Sequence, residues 1–386
     1  MKIETIEIHN FKVFRDVKLE NIGSMGVFLG ENGTGKTTFF DIFGFMKACL
    51  TENIRSALQA RGGYNEVHSR DAEGDIQLIF RYLVSPDNPL FTYELQIGLN
   101  EKNEPTINYE ALYADEFGKK RFVFSRKGNL IAYRKWQDEE LYNVTGDFPF
   151  DLKMSDDYLM ALNLVGQMDE YQEAVEFRKY VEDWFVSDLQ NDKMQLPQDA
   201  VYHERLSRKG DNIANVAQYL FEKHPDRFKR ILDKMQERIP GIEKVEVKTA
   251  DTGRVMLRFQ DGNFKEPFAS KYVSDGTIKM FAYLVLLADP NPHKLLCIEE
   301  PENQLYPALL GILAEEFREY TFSGGQVFIS THSPDFVDSV ALNELFIIKK
   351  QDGFSKILAV SDNENIVSLY RQGDDKLGVL WQEGLL

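Results

Sequence analysis

Residues 26–38 read Gly26-Val-Phe-Leu-Gly-Glu-Asn-Gly-Thr-Gly-Lys-Thr-Thr38, an apolar stretch that runs into a glycine-rich turn closed by Lys-Thr. Val27, Phe28 and Leu29 have the character of a buried strand, and Gly30 to Thr37 fit G-x-x-x-x-G-K-[ST] with Gly30, Gly35, Lys36 and Thr37 at the fixed places. Asn32-Gly33 and Gly35 let the backbone turn its N–H groups inward around a phosphate, which takes positive φ or a close approach that a Cβ would obstruct. Lys36 then lies against the β/γ-phosphates and Thr37 holds Mg²⁺, at the N-terminus of a helix starting near Gly35. The competing reading is a chance match in an ordinary strand–turn–helix, and the companion motifs far downstream weigh against it.

With 43% hydrophobic and 28% charged residues over 386 positions, the chain reads as globular, with one large domain and an insertion or two domains. A formal charge of −17 excludes a protein whose whole surface coats nucleic acid, while leaving room for a local basic channel. Cys49 and Cys297 both lie in apolar runs without zinc-ligand spacing, so buried reduced thiols and a cytoplasmic location are expected. The opening Met-Lys-Ile-Glu-Thr-Ile-Glu-Ile-His-Asn alternates like a strand and lacks a signal-peptide core. The longest apolar run, Met280 to Ala288, falls far short of the ~20 residues a bilayer span needs, so no membrane association is expected.

Along the chain, residues 1–30 read as a short antiparallel sheet, and residues 36–58 as one or two helices with Phe39, Phe40, Ile42, Phe43 and Met46 on the buried face. From about 75 to 135 the pattern is a strand meander punctuated by turn signals such as Lys127-Gly-Asn129. Residues 156–190 and 211–238 have helical period, without the heptads of a long coiled coil. Strands resume near Val245 and Val255, and 273–349 alternates helix and strand like half of a parallel sheet. The expected division is an N-terminal lobe over 1–150, a helical insertion or lid over 151–245, and a C-terminal lobe over 246–386.

Three downstream segments carry chemistry. Lys294-Leu-Leu-Cys-Ile-Glu-Glu-Pro-Glu302 is an apolar strand ending in paired carboxylates, as needed to aim acids at a metal and a γ-phosphate. Glu299 takes the place where Asp usually supports Mg²⁺, a departure tolerable if the contact passes through water, and Glu300 the place of the base that orients water. Gln326-Val-Phe-Ile-Ser-Thr-His332 is a second buried strand, whose terminal His332 can hydrogen-bond a γ-phosphate. Ser274-Asp-Gly-Thr277 opens a helix and reads equally as a plain cap or as an anion site.

This order of motifs resembles the ABC-type ATPase heads of SMC proteins, RecF and the ATPase half of OLD-family nucleases, and looks most like the stand-alone AAA-type ATPases of that group. Ile8-His-Asn-Phe-Lys-Val-Phe14, Leu206-x-x-x-Gly210-x-Asn212 and Gly378-Val-Leu-Trp381 extend the resemblance over nearly the whole chain. It implies an α/β fold: a P-loop ATPase head with a mixed or parallel sheet core, an antiparallel β subdomain and a compact helical insertion. It also implies ATP and Mg²⁺ held by Gly30, Asn32, Gly33, Gly35, Lys36, Thr37 and Thr38, with Glu299 toward the metal. Glu300 would activate water and His332 would sense the γ-phosphate, while Ser274 and Gly276 reach across a head-to-tail homodimer or higher homo-oligomer to a second copy's nucleotide. Asn303 to Pro307 resembles the loop that couples the two sites. Gln167 is a magnesium or water contact or a solvent-facing side chain, and Arg61 a phosphate or DNA contact or a solvated one.

The basic residues Lys119, Lys120, Arg121, Arg126, Lys127, Arg134 and Lys135, interleaved with Phe122, Phe124, Tyr133 and Trp136, suit either a DNA-facing sheet or a solvated hairpin. The acid-rich 156–192 stretch suits a protein partner or solvated helix faces. Ordered by fit, the functional expectation is ATP-driven dimer closure and hydrolysis controlling DNA repair or antiviral defence. OLD-like relatives carry a Toprim nuclease after the ATPase, whereas only about 50 residues follow His332 here. A nuclease or toxin effector is therefore expected on a separate chain. The alternative is a slowly hydrolysing ATP-dependent scaffold, which Glu299 permits; a transporter subunit fits poorly, given the Phe11-Lys12-Val13-Phe14 opening and the long stretch between Lys36 and Ser274.

Overall fold

Strand Lys2–Phe11 buries Ile3, Thr5, Ile6, Ile8 and Phe11 and leaves Lys2, Glu4, Glu7, His9 and Asn10 half-exposed, the alternation of a sheet packed on one face interrupted by an irregularity between Ile3 and Thr5. In the computed structural model, which describes every residue except 86, 117, 134–151, 250–252 and 373–375, it is the second strand of an eight-stranded antiparallel sheet. The chain packs as two compact units, Met1–Trp184 with Leu342–Gln372, and Phe185–Ala341 with Gly373–Leu386.

In the first unit the eight-stranded sheet runs in the order Phe14–Leu19, Lys2–Phe11, Ile76–Leu83, Leu90–Leu99, Pro105–Glu116, Lys119–Lys127, Leu130–Tyr133 and Leu152–Lys153. The expected meander is therefore present. Met25–Leu29 is not part of the opening antiparallel sheet, as its place in the sequence suggested. It is buried at all five positions and pairs in parallel with Leu345–Gln351, which pairs in turn with Phe354–Ala359. A strand buried on both faces carries no alternation to assign it to one sheet or another. Phe28 stacks on Phe346 at 5.1 Å between ring centroids and meets Phe39 at 4.3 Å, so the strand and the following helix Lys36–Thr51 share one aromatic core. Phe43 of that helix packs on the fully buried Trp184.

The helical period read over 156–190 resolves into helices Ala161–Val165 and Gln172–Glu182, followed in the second unit by the two-residue strand Phe185–Val186. Among the described residues no helix exceeds the 16 residues of Lys36–Thr51, and none is long and apolar enough to cross a membrane. The second unit holds the parallel set Phe185–Val186, Leu295–Glu299 and Gln326–Thr331, with helices Asp275–Leu287 and Ala308–Phe322. It also holds an antiparallel hairpin, Ile242–Thr249 with Arg254–Asp261, and helices Ile213–Lys223 and Pro225–Arg238. Cys49 and Cys297 are buried and unbridged, and burial raises both thiols above their ordinary range.

Strand alternation also places the basic side chains of Lys119–Lys127. Arg126 points inward and is fully buried; it donates to the carbonyls of Gly128, Leu159 and Asp157 and lies by the fully buried Glu110. Arg121 pairs with Glu116 at 2.7 Å and with Glu173 at 3.2 Å, and Phe124 is core. These side chains serve the fold, which removes the core of a DNA-facing surface there; Arg134, Lys135 and Trp136 lie outside the described residues. Glu110 accepts from Tyr93 Oη at 2.9 Å and from the amides of Ala161 and Leu162 at 2.6 and 2.9 Å, at the start of a helix. Burial pushes its carboxyl up, and Arg126 with those amides draws it back. Glu110→Ala would strand the Arg126 charge and two amides. We expect a loss of about 3 kcal/mol or more, read as a lower urea midpoint by tryptophan fluorescence, with Glu110→Gln costing less.

Candidate nucleotide site

In the first unit, the turn after Leu29 is shaped by what has no room. A Cβ on Gly30 would lie 2.6 Å from Thr34 Oγ1 and 2.8 Å from Ile348 O, so only glycine lets the strand enter the turn here. Gly33 and Gly35 take φ of 78° and 110°, in the left-handed region, and Gly35 is the residue before the first turn of Lys36–Thr51. Behind the turn, Ser355 Oγ donates to Thr34 O and Ser355 N to Val13 O, so the Phe354–Ala359 strand supports it. Lys36 is only 5% exposed, and its Nζ donates to Gly30 O at 2.9 Å and Glu31 O at 3.1 Å. The ammonium is thereby held across the mouth of the loop. Asn32, Gly33 and Thr37 are exposed and Thr38 half-buried. A loop with this backbone course, a central ammonium and a solvent-facing hydroxyl at the helix start fits a polyphosphate with its metal.

Arg61 is otherwise engaged. Its Nη2 lies 2.7 Å and its Nε 2.9 Å from Asp41 Oδ1, its Nη1 donates to Ala57 O, and Lys12 Nζ reaches Asp41 Oδ2 at 2.6 Å. Burial alone would raise the Asp41 carboxyl, but the Arg61 and Lys12 bonds outweigh it and hold it below its ordinary range. This ion-pair cluster joins the opening strands to the helix, and it shows Arg61 bonded and largely buried rather than solvated. Gln167 is exposed, with its Nε2 turned back onto Asn163 O at 2.6 Å.

In the second unit the parallel register sets Glu299 opposite Ser330, so the carboxylate strand and the Thr331-His332 strand end together. Glu300 follows with φ of 42°, a left-handed conformation unusual for a side chain of this size and held by its N–H donating to Ser330 O at 2.9 Å. Its Oε2 accepts from Asn303 Nδ2 at 3.0 Å, and its Oε1 lies 3.6 Å from His332 Nδ1. Nearer to that ring is Glu302, which the sequence reading left without a role. Glu302 Oε1 accepts from Thr331 Oγ1 and from His332 N, each at 2.8 Å, and lies 3.2 Å from His332 Nδ1. The signal was present as the third acid of Glu-Glu-Pro-Glu, but only the strand pairing shows what it meets.

Ser274 caps helix Asp275–Leu287, its Oγ accepting from Thr277 N at 3.2 Å and lying 2.7 Å from Thr277 Oγ1, while remaining exposed. Gly276 abuts the 303–307 turn: a Cβ there would lie 2.9 Å from Gln304 O. Asn191 Nδ2 bridges the same two segments, reaching Gln304 Oε1 at 2.7 Å and Asp275 O at 3.2 Å. A third tie is Lys279, 5% exposed, whose Nζ donates to Asn303 O at 2.7 Å. Among the described residues no group of three or more His, Cys, Asp and Glu is arranged to hold a metal, and a hydrated Mg²⁺ needs only one or two protein oxygens beside phosphate.

Fold and sequence motifs together define an ATPase of the AAA type, with a fold similar to that of SMC heads. The chain belongs to the AAA ATPase domain family, whose profile matches residues 1–244. A second profile, described as "AAA domain, putative AbiEii toxin, Type IV TA system", matches residues 165–338. An ATP/GTP phosphatase of Helicobacter pylori is 19% identical over 380 residues, covering 91% of this chain and 94% of its own length. Among solved structures, an SMC head bound to the C-winged helix domain of ScpA superposes with TM-score 0.56 at 14% identity over 93% of this chain and 97% of that one. The SMC head of Pyrococcus furiosus, with an extended coiled coil and bound to the C-terminal domain of ScpA, gives 0.54 at 12% identity over 96% and 99%.

Burial draws the Lys279 ammonium down to about 8 from its ordinary 10.5, with Glu302 and Glu300 opposing the shift. Its folded form therefore gives up its proton first, and between pH 8 and 10.5 the unfolded chain binds more protons, so this group makes stability rise with pH. We expect the stability difference between wild type and Lys279→Met to move in favour of wild type across that window, and to be flat below pH 7, in urea titrations at each pH.

Proposed function

We propose that one copy's Gly30–Thr37 turn grips ATP and Mg²⁺, and that Ser274 and Gly276 of a second copy cap the triphosphate in a head-to-tail dimer. Thr37, with Glu299 acting through water, would hold Mg²⁺, and the metal would supply charge neutralisation on the phosphates. Glu300 accepts the proton of the attacking water, and His332 contacts the γ-phosphate. In this reading residues 1–150 carry the cradle, 246–386 the cap, carboxylates and histidine, and 151–245 acts as a lid. The observation that carries it is the convergence of Glu300 and His332 at the ends of two paired parallel strands, with the carboxylate at 30% exposure and so open to a water. Gln167, exposed on the first unit, joins only as a water contact.

Dimer closure then controls a separate effector, a nuclease or toxin, or a DNA transaction in antiviral defence or DNA repair. The SMC heads similar in fold are solved with a ScpA domain bound, which supports a partner protein docking on this chain as well.

Lys36→Ala should abolish binding of a fluorescent ATP analogue, and Glu300→Gln should keep binding while lowering turnover at least ~10²-fold. With ATP, Glu300→Gln should run as a dimer in light scattering, and Glu300→Gln with Ser274→Arg as a monomer. Equal, negligible turnover in wild type and Glu300→Gln would replace the hydrolysing enzyme by the ATP-dependent scaffold.

A further inference from the structure

His332 Nδ1 faces two carboxylates that differ in kind. Glu300 Oε1 is 3.6 Å away, on a side chain 30% exposed and also bonded to Asn303, whereas Glu302 Oε1 is 3.2 Å away on a side chain only 8% exposed. Glu302 is fixed by the strand that carries the histidine itself. Its Oε1 takes the Thr331 hydroxyl and the His332 amide, and Thr331 Oγ1 in turn accepts from Ser333 N at 3.0 Å. Its other oxygen, Oε2, is buried with no hydrogen-bond partner among the described residues. Such a carboxylate is costly to bury and is retained where its charge is used. The buried Lys279 ammonium, tied to Asn303 O, supplies the opposite charge nearby.

We propose that Glu302 is a positioning residue that holds the proton of His332 on Nδ1 and turns Nε2 outward as the working nitrogen of the ring. A carboxylate oxygen 3.2 Å from Nδ1 favours a proton on that nitrogen by its charge, which leaves Nε2 as the outward one. Glu300, the more exposed and more distant acid, is thereby left for water rather than for the ring. The inference rests on the reading of His332 as a γ-phosphate contact for its consequence in turnover, but not for the state of the ring.

The test uses the full chain labelled with ¹⁵N-histidine, whose six histidines are few enough to assign His332 with a His332→Gln variant. Long-range ¹H–¹⁵N correlation, with and without nucleotide, should find Nδ1 of His332 protonated in wild type. In Glu302→Ala the ring should shift toward the Nε2–H tautomer, and Glu302→Gln, which keeps acceptors for Thr331 and the His332 amide, serves if the alanine variant does not fold. Nδ1 unprotonated in wild type, or a ring indifferent to both substitutions, would overturn the proposal. In turnover, Glu302→Ala should lose ~10- to 100-fold in kcat with KM for ATP unchanged. The double variant with His332→Ala should then be no slower than the worse single one. Additive losses would place Glu302 outside the action of His332. Normal ring behaviour with no kinetic effect in either variant would instead refute the γ-phosphate role of His332 and leave the positioning intact.

Discussion

The nucleotide loop depends on keeping an ammonium out of bulk water without leaving it unpaired. Lys36 achieves this on the loop's own carbonyls, Gly30 O and Glu31 O, and that pairing requires the backbone to curl tightly enough to bring both within reach. The curl in turn leaves no space at Gly30, where Thr34 and the Ile348 carbonyl close in, and demands left-handed backbone at Gly33 and Gly35. A phosphate would exchange with those carbonyls for the ammonium at little cost, since one charge-assisted bond replaces another. The glycines and the lysine are thus one device, and the aromatic packing of Phe28 and Phe39 beneath it keeps the strand and helix ends from shifting.

The acid cluster depends on register rather than on local sequence. Two parallel strands, Leu295–Glu299 and Gln326–Thr331, are paired so that both run out at the same level, and all that follows is placed by that alignment. Proline at 301 stops the chain from continuing the strand, and the left-handed Glu300 swings it back so that Glu302 returns beneath the neighbouring strand end. The strain at Glu300 is offset by its amide bond to Ser330. What results is a histidine whose Nδ1 lies 3.2 Å from Glu302 and 3.6 Å from Glu300.

How much of this could be read from the chain follows from how local each feature is. The P-loop pattern lies within eight residues and needs no tertiary knowledge, and the strand–helix alternation over 273–349 was equally plain. The assignment of Met25–Leu29 to its sheet was not legible, because continuous apolar character suits any buried neighbour and the partner arrives some 300 residues later. The basic run over 119–127 stayed undecided for another reason: composition shows charge, but only cross-strand and helix partners reveal that Arg126 lies by Glu110 and Arg121 meets Glu116 and Glu173. Glu302 stayed hidden likewise, since its partners, Thr331 and His332, are about 30 residues downstream.

The Ser274 helix start and the 303–307 turn behave mechanically as one piece. Gly276 lies so close to Gln304 O that no side chain fits between them, Asn191 bonds both segments at once, and Lys279 holds Asn303 O from within the helix. Asn303 in turn donates to Glu300 through its side chain and to Glu300 O through its amide. These three short contacts tie the helix start at Ser274 to the 303–307 turn, and Asn303 ties that turn to the Glu300 carboxylate. The helix cap and the Glu300 carboxylate are thereby linked by packing and hydrogen bonds outside the core strands.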